Sequence, residues 1–132
     1  MLIKQTSVFI ENKPGKMAKI IDILGANDIN LNALSIADAT DFGILRLITD
    51  EPDKAAAVLA SEDFVVKTTN VISVNIENKP GGLVKILRIF KENNIAVDYM
   101  YAYVSKDSNA ITVIKTDNID LAVQKLAENG IE

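Results

Sequence analysis

Five residues, Glu11-Asn12-Lys13-Pro14-Gly15, recur letter for letter 66 positions later as Glu77-Asn78-Lys79-Pro80-Gly81. The match extends to both sides in the same register. Ser7-Val8 corresponds to Ser73-Val74, Lys19-Ile20 to Lys85-Ile86, and Asn27-Asp28-Ile29 to Asn93-Asn94-Ile95. After a one-residue adjustment near Ser105, Thr49-Asp50 corresponds to Thr116-Asp117 and Leu59 to Leu126. A chain written twice must fold as two like units, each able to bury its own apolar face, so the repeat governs every later inference.

Both copies carry the same pattern of elements. Val8 and Ile10 alternate with Ser7 and Glu11, the period of a half-buried strand, and Ile72, Val74 and Ile76 do so again. Pro-Gly then opens a helix. Its apolar stripe is Met17, Ile20, Ile21 and Leu24 in the first copy and Leu83, Ile86, Leu87 and Phe90 in the second. Asn27-Asp28 and Asn93-Asn94 end these helices. Second strands are expected over 29–38 and 95–104, and third strands over 44–49 and 110–116. Thr40-Asp41 and Lys106-Asp107-Ser108 form the turns between them. A second helix follows, from Pro52 to Ala60 and from Ile119 to Glu128, and Phe64 to Lys67 reads as a fourth strand.

The order β-α-β-β-α-β is the split-βαβ or ferredoxin-like unit, an α+β architecture with an antiparallel sheet and its helices on one face. The expected boundaries are 1–68 and 69–132. Lys67-Thr68-Thr69-Asn70 leads strand four of copy one into strand one of copy two, which places the modules side by side. Phe64 and Val65 align with Ile131 and Glu132, so copy two has almost no fourth strand of its own. It is truncated or completed by another segment, either residues 1–5 or a partner chain, since an uncovered edge is a liability.

The turn itself is a candidate site. A helix N-terminus offers unpaired N–H groups to an anion. Gly15 and Gly81 carry no side chain to obstruct a ligand, and Asn12 and Asn78 can donate to a carboxylate or accept from an ammonium. The alternative is structural: Asn caps the helix and Pro-Gly makes the turn. Lys16 follows Gly15 where the second copy has Gly82; it either faces an anionic ligand or is a solvated surface lysine.

Composition narrows the chemistry. The chain has no cysteine and no histidine, which removes thiolate chemistry, the near-neutral acid–base group and the commonest metal ligand. There is no GxxxxGK[ST] loop and no metal-ligand cluster, so neither an enzyme nor a cofactor or metal site is expected. Asp38, Asp41 and Asp98 near strand ends read as solvated turn residues. A net charge of −4 without a basic run gives no footprint for nucleic acid or an anionic membrane surface. No apolar stretch approaches the roughly 20 residues of a membrane helix, and no signal peptide is visible, so a cytoplasmic protein is expected.

Two βαββαβ copies, each with Asn-x-Pro-Gly at the first turn and Asn-Asn/Asp-Ile after the helix, resemble the ACT domain family over essentially the whole chain. The resemblance implies an amino-acid-binding regulatory protein of amino-acid metabolism. In its serine-sensing members, ligand contacts come from the turn Asn, matched here by Asn12 and Asn78, and from an Asn opening strand two, matched by Asn30 but by Ala96 in the second copy. Those members also use a His two residues before the turn Asn, where Ile10 and Ile76 stand here, so the resemblance does not carry serine over as the ligand. The expected ligand contacts are Asn12, Pro14, Gly15, Lys16 and Asn30, with Asn78, Pro80 and Gly81 as a second site or a facing wall. The alternative is a regulatory subunit that mainly binds a biosynthetic enzyme such as acetolactate synthase. Tyr99, Tyr101 and Tyr103 alternate along one strand and are expected on the open face of the sheet, as a homodimer contact, a pocket wall or cross-strand packing. Met100 and Ala102 are expected in the helix-covered core.

Overall fold

The computed structural model describes residues 1–38, 41–105, 107 and 109–131. Thr40, Lys106, Ser108 and Glu132, on which parts of the expected turns and of the last strand fall, lie outside the described residues. The elements are β1 (Leu2–Glu11), α1 (Lys16–Ala26), β2 (Leu31–Asp38), β3 (Phe42–Thr49), α2 (Pro52–Ser61), β4 (Val65–Ile76), α3 (Val84–Glu92), β5 (Val97–Val104), β6 (Ala110–Thr116) and α4 (Ile119–Glu128).

The chain divides into two compact units. The first is Lys4–Thr69; the second joins Met1–Ile3 to the residues from Asn70 onward. Two long strands make this possible, because β1 and β4 each contribute residues to both units. In the first unit the strand order is β2-β3-β1-β4, and in the second β5-β6-β4-β1. Each is the ferredoxin-like order, with α1 and α2 or α3 and α4 packed on one face.

Cross-strand pairing identifies that face. In the first unit Val8 stands opposite Leu45 and Ile10 opposite Gly43. Val8, Ile10, Leu45 and Leu47 join Ile20 and Leu24 of α1 and Ala55 and Leu59 of α2 in one buried cluster. In the second unit Ile72, Val74, Ile76 and Ile114 meet Ile86, Ile89 and Phe90 of α3 and Ala122 and Leu126 of α4. Burying a side chain of this size contributes roughly 1.5–3 kcal/mol, so these clusters supply the main force holding each unit together.

The second unit takes its missing strand from the N-terminus. Ser73 donates its backbone N–H to the Met1 carbonyl at 2.6 Å, and the Met1 side chain packs on the unit's core.

The structure corrects several sequence expectations. Ala102 and Val104 are exposed, Val104 to 67%, although they share the core-facing parity of Met100. Their strand, β5, is the edge of the sheet beyond the helix layer. Val97 nevertheless reaches the core, because a bulge between Val97 and Tyr99 shifts its parity. The same bulge recurs between Leu31 and Ala33. Leu87 is exposed and Ile89 takes its place in the core. Ser7 is buried, accepting a hydrogen bond from the Gln5 amide at 3.1 Å, so the two faces of β1 do not alternate simply between core and solvent. Tyr99, Tyr101 and Tyr103 are half-buried.

Candidate functional site

The repeated pentapeptide builds the same turn twice. Lys16 N–H donates to the Lys13 carbonyl at 3.3 Å and Gly82 N–H to the Lys79 carbonyl at 3.1 Å. The third residue of each turn, Gly15 (φ 89°) or Gly81 (φ 78°), lies in the left-handed region. Proline second and a positive φ third are the requirements of a type II turn, which is why Pro-Gly survives in both copies. A shorter bend precedes it: Lys13 N–H reaches the Glu11 carbonyl, and Lys79 N–H the Glu77 carbonyl, both at 2.8 Å. Lys13 also donates to the Glu11 carboxylate at 2.9 Å, and Lys79 pairs with Glu77 in the same way. The bonded lysine holds each carboxyl below its ordinary range, through the hydrogen bond first and its charge second.

The helices then differ. After Gly15, α1 starts at once at Lys16, whereas α3 starts at Val84, two residues beyond the equivalent position. Gly82 explains the delay. A Cβ there would overlap the Glu77 carbonyl oxygen and lie 2.9 Å from Ile76 Cγ2, so the backbone passes too close to the preceding strand for the side chain that Lys16 carries in the other copy.

A cavity opens beside each turn. In the first unit it measures about 370 Å³ and is walled by Phe9, Ile10 and Glu11 of β1, Lys16 and Lys19 of α1, Phe42 of β3, and Glu62, Asp63, Phe64 and Val65 at the entry to β4. In the second unit it measures about 330 Å³ and is walled by Asn75, Ile76 and Glu77, then Lys79, Gly81 and Gly82 of the turn, Lys85 and Ile86 of α3, and Ile131. The repeat register maps Ile10 on Ile76, Glu11 on Glu77, Lys16 on Gly82, Lys19 on Lys85 and Phe64 on Ile131, so the two are one cavity made twice.

Of the residues singled out from the sequence, Lys16 and Gly81 line these cavities. Gly15 is exposed, with no atom within 4 Å of a Cβ built on it, so its backbone is open to approach. Asn12, Pro14, Asn78 and Pro80 are exposed at the turns without lining either cavity. Asn12 does not cap the helix as the structural alternative required, since the N-cap of α1 is Gly15 and, among the described residues, no side chain caps it. Asn30 stands away from the turn. Leu31 pairs with Thr49 and Glu11 with Phe42, at opposite ends of β3. There Asn30 N–H donates to Asp50 Oδ1 at 2.9 Å, and the Asn30 amide bonds Asn32 at 2.8 Å.

The aromatic and acidic walls were not foreseen from the sequence. Phe9, Phe42 and Phe64 are far apart along the chain, and all three line the first-unit cavity. The available signal was the comparison of copies, in which Phe9 replaces the polar Asn75 at one register position.

Comparison with known proteins places the chain in context. The family description "ACT domain pair" matches residues 1–132. The crystal structure of protein BT0572 from Bacteroides thetaiotaomicron superposes with a TM-score of 0.93 at 37% identity, covering 100% of this chain and 91% of that one. The ligand-free regulatory subunit of aspartate kinase from Thermus thermophilus superposes at 0.63 with 13% identity, covering 97% of this chain and 96% of that one. The corresponding subunit from Thermus flavus gives 0.60 at 15% identity, over 97% and 94%. At these identities the kinase subunits share the fold. No curated protein matches the sequence. Among the described residues, no helix is long and apolar enough to cross a membrane.

Proposed function

The chain belongs to the ACT domain family, and on that premise we propose that it is a non-catalytic regulatory sensor that binds an amino acid beside the Pro-Gly turn. The observation that carries this reading is the repeated cavity. Both units place a concave space of about 330–370 Å³ against the same turn, within the size of ordinary small-molecule sites, roughly 300–1,000 Å³. Both cavities are lined by side chains of both signs, which supports binding of a zwitterion. The bare backbone at Gly15 and Gly81 supports close approach of a ligand at the turn. Regulation by aspartate kinase subunits of the same fold is in keeping with this reading.

A thermal-shift panel of the standard amino acids tests it. A ligand that binds only the folded state stabilises it by RT ln(1 + [L]/Kd), about 2.7 kcal/mol at a hundredfold excess over Kd, a rise of several degrees in melting point. One or a few related amino acids should produce this rise. Asn12→Ala or Asn78→Ala should reduce it if the turn asparagines take part. A panel without any shift would remove the sensor reading.

A further inference from the structure

The four helices α1 to α4 end in the same way, and the last end differs at a position that carries chemistry. After each helix comes a residue in the left-handed region: Asp28 (φ 57°), Asp63 (φ 68°), Asn94 (φ 54°) and Gly130 (φ 73°). The residue after that, Ile29, Phe64, Ile95 or Ile131, donates its N–H back to the carbonyl of Leu24, Leu59, Phe90 or Leu126 at 2.9–3.2 Å. This is a Schellman closure. Three of the ends place an asparagine before the left-handed residue. Asn27, Asn93 and Asn129 each donate the side-chain amide to the carbonyl four residues back at 2.8 Å. Of these three asparagines only Asn129 is followed by glycine, and it is exposed where Asn27 and Asn93 are half-buried.

An asparagine followed by glycine loses ammonia without an enzyme, because no side chain shields the next main-chain nitrogen. The Gly130 nitrogen gives its proton to water and bonds to Asn129 Cγ. The Cγ–Nδ2 bond breaks, ammonia departs, and a five-membered succinimide remains. Water then opens either ring carbonyl, to aspartate or to isoaspartate, which lengthens the main chain by one carbon. The fold holds this reaction back. Gly130 N–H donates to the Ala127 carbonyl at 3.0 Å, and the leaving amide is held by the Lys125 carbonyl. At ψ 13° Asn129 turns the Gly130 nitrogen away from its own Cγ, whereas ring closure requires the two to eclipse. The last turn of α4 must therefore open first, a local event of the kind that costs least at the ends of elements.

We propose that Asn129 is a site of spontaneous deamidation, gated by opening of the α4 terminus, and that its isoaspartyl product withdraws Ile131 from the second unit. Ile131 is the residue this closure positions: its side chain packs on the second-unit core and lines that unit's cavity. An extra main-chain carbon between residues 129 and 130 breaks the spacing at which the Ile131 N–H meets the Leu126 carbonyl. Aspartate keeps that spacing, and an acidic side chain is accommodated at this position, since Glu62 occupies it at the end of α2.

The test is incubation of the full chain at mildly alkaline pH, followed by peptide mapping in a mass spectrometer. Asn129 should convert while Asn27 and Asn93 remain intact, and urea sufficient to unfold the chain should accelerate the conversion about tenfold or more. Gly130→Asn, which places a residue tolerant of the left-handed region behind Asn129, should slow it about tenfold. Asn129→Asp should leave the Ile131 amide as protected from hydrogen exchange as in the parent, and the isolated isoaspartyl form should lose that protection. Conversion of Asn27 or Asn93 at the rate of Asn129, or no conversion of Asn129 even in urea, would overturn the site. Equal rates in the folded and unfolded chain would overturn the gate. An Ile131 amide equally protected in the isoaspartyl form would overturn the consequence. Should Gly130→Asn fail to fold, the three asparagines of the parent chain still decide the matter.

Discussion

Ser73 donates its backbone N–H to the carbonyl of Met1 at 2.6 Å, so the first residue of the chain completes the sheet of the unit that begins at Asn70. The Met1 side chain packs against the core formed by Ile72, Ile114 and their neighbours. Replacing residues 1–3 by Gly-Ser-Gly should therefore cost about 2–3 kcal/mol, from one hydrogen bond and a partly buried methionine. Urea unfolding measures the loss. Hydrogen exchange should accelerate at residues 70–76, and an unchanged midpoint would show that the N-terminal residues contribute nothing to that unit.

Two glycines should respond oppositely to alanine. At Gly82 the added Cβ would meet the Glu77 carbonyl oxygen and Ile76 Cγ2, so Gly82→Ala should destabilise by about 1–3 kcal/mol. At Gly25, within α1, no atom lies within 4 Å of the new Cβ. Gly25→Ala should stabilise by about 0.5–1 kcal/mol through the entropy of the unfolded chain. Denaturant midpoints of the two variants on either side of the parent would bear out both statements.

The Thr-Asp pair preserved in the repeat has a structural task. Asp50 Oδ1 accepts from Asn30 N–H at 2.9 Å while Asp50 N–H donates to the Asn30 carbonyl at 3.2 Å. Asp117 and Ala96 repeat the reciprocal pair at 3.0 and 3.2 Å. Asp50→Ala and Asp117→Ala should each cost about 1 kcal/mol, and Asn at either position should recover part of it by keeping an acceptor oxygen. Chemical denaturation of the four single variants checks this, and Ala variants as stable as their Asn counterparts would contradict it.

Glu11 and Glu77 titrate below their ordinary value of 4.5 because Lys13 and Lys79 hydrogen-bond the ionised form, with charge attraction adding to it. A carboxyl made more acidic by folding stabilises the fold above its unfolded pKa, and that contribution disappears as pH falls through the folded pKa. Both pairs lie at the surface, so the effect is small and screened by salt. The Glu11→Gln/Glu77→Gln chain should lose less stability than the parent between about pH 6 and about pH 3. Thermal melts across that range should converge in high salt; parallel curves at low salt would dismiss the coupling.

Thr6 is fully buried, and its hydroxyl has no hydrogen-bond partner among the described residues. The repeat places Ile72 at the equivalent position. Thr6→Val keeps the shape and removes an unsatisfied polar group, so it should stabilise by about 1 kcal/mol in urea titration. A destabilised variant would mean that the hydroxyl is satisfied in solution.

The sequence by itself determined that there are two like units, the order of their elements, the third strand over 110–116 and the fourth helix over 119–128. It also located the turn, because these features follow from local chemistry: apolar spacing, a proline that presets φ and a glycine that accepts the left-handed region. Only the tertiary structure decided which residues lie beside one another across the strands. Met1 reaches Ser73 through main-chain groups that every residue possesses, so no side chain announces the pairing. The edge position of β5 leaves Ala102 and Val104 in water despite their core parity, and the first-unit cavity takes its lining from β1, α1, β3 and the entry to β4. Periodicity reports which way a side chain points; whether anything is there to cover it depends on the packing of elements distant in the chain.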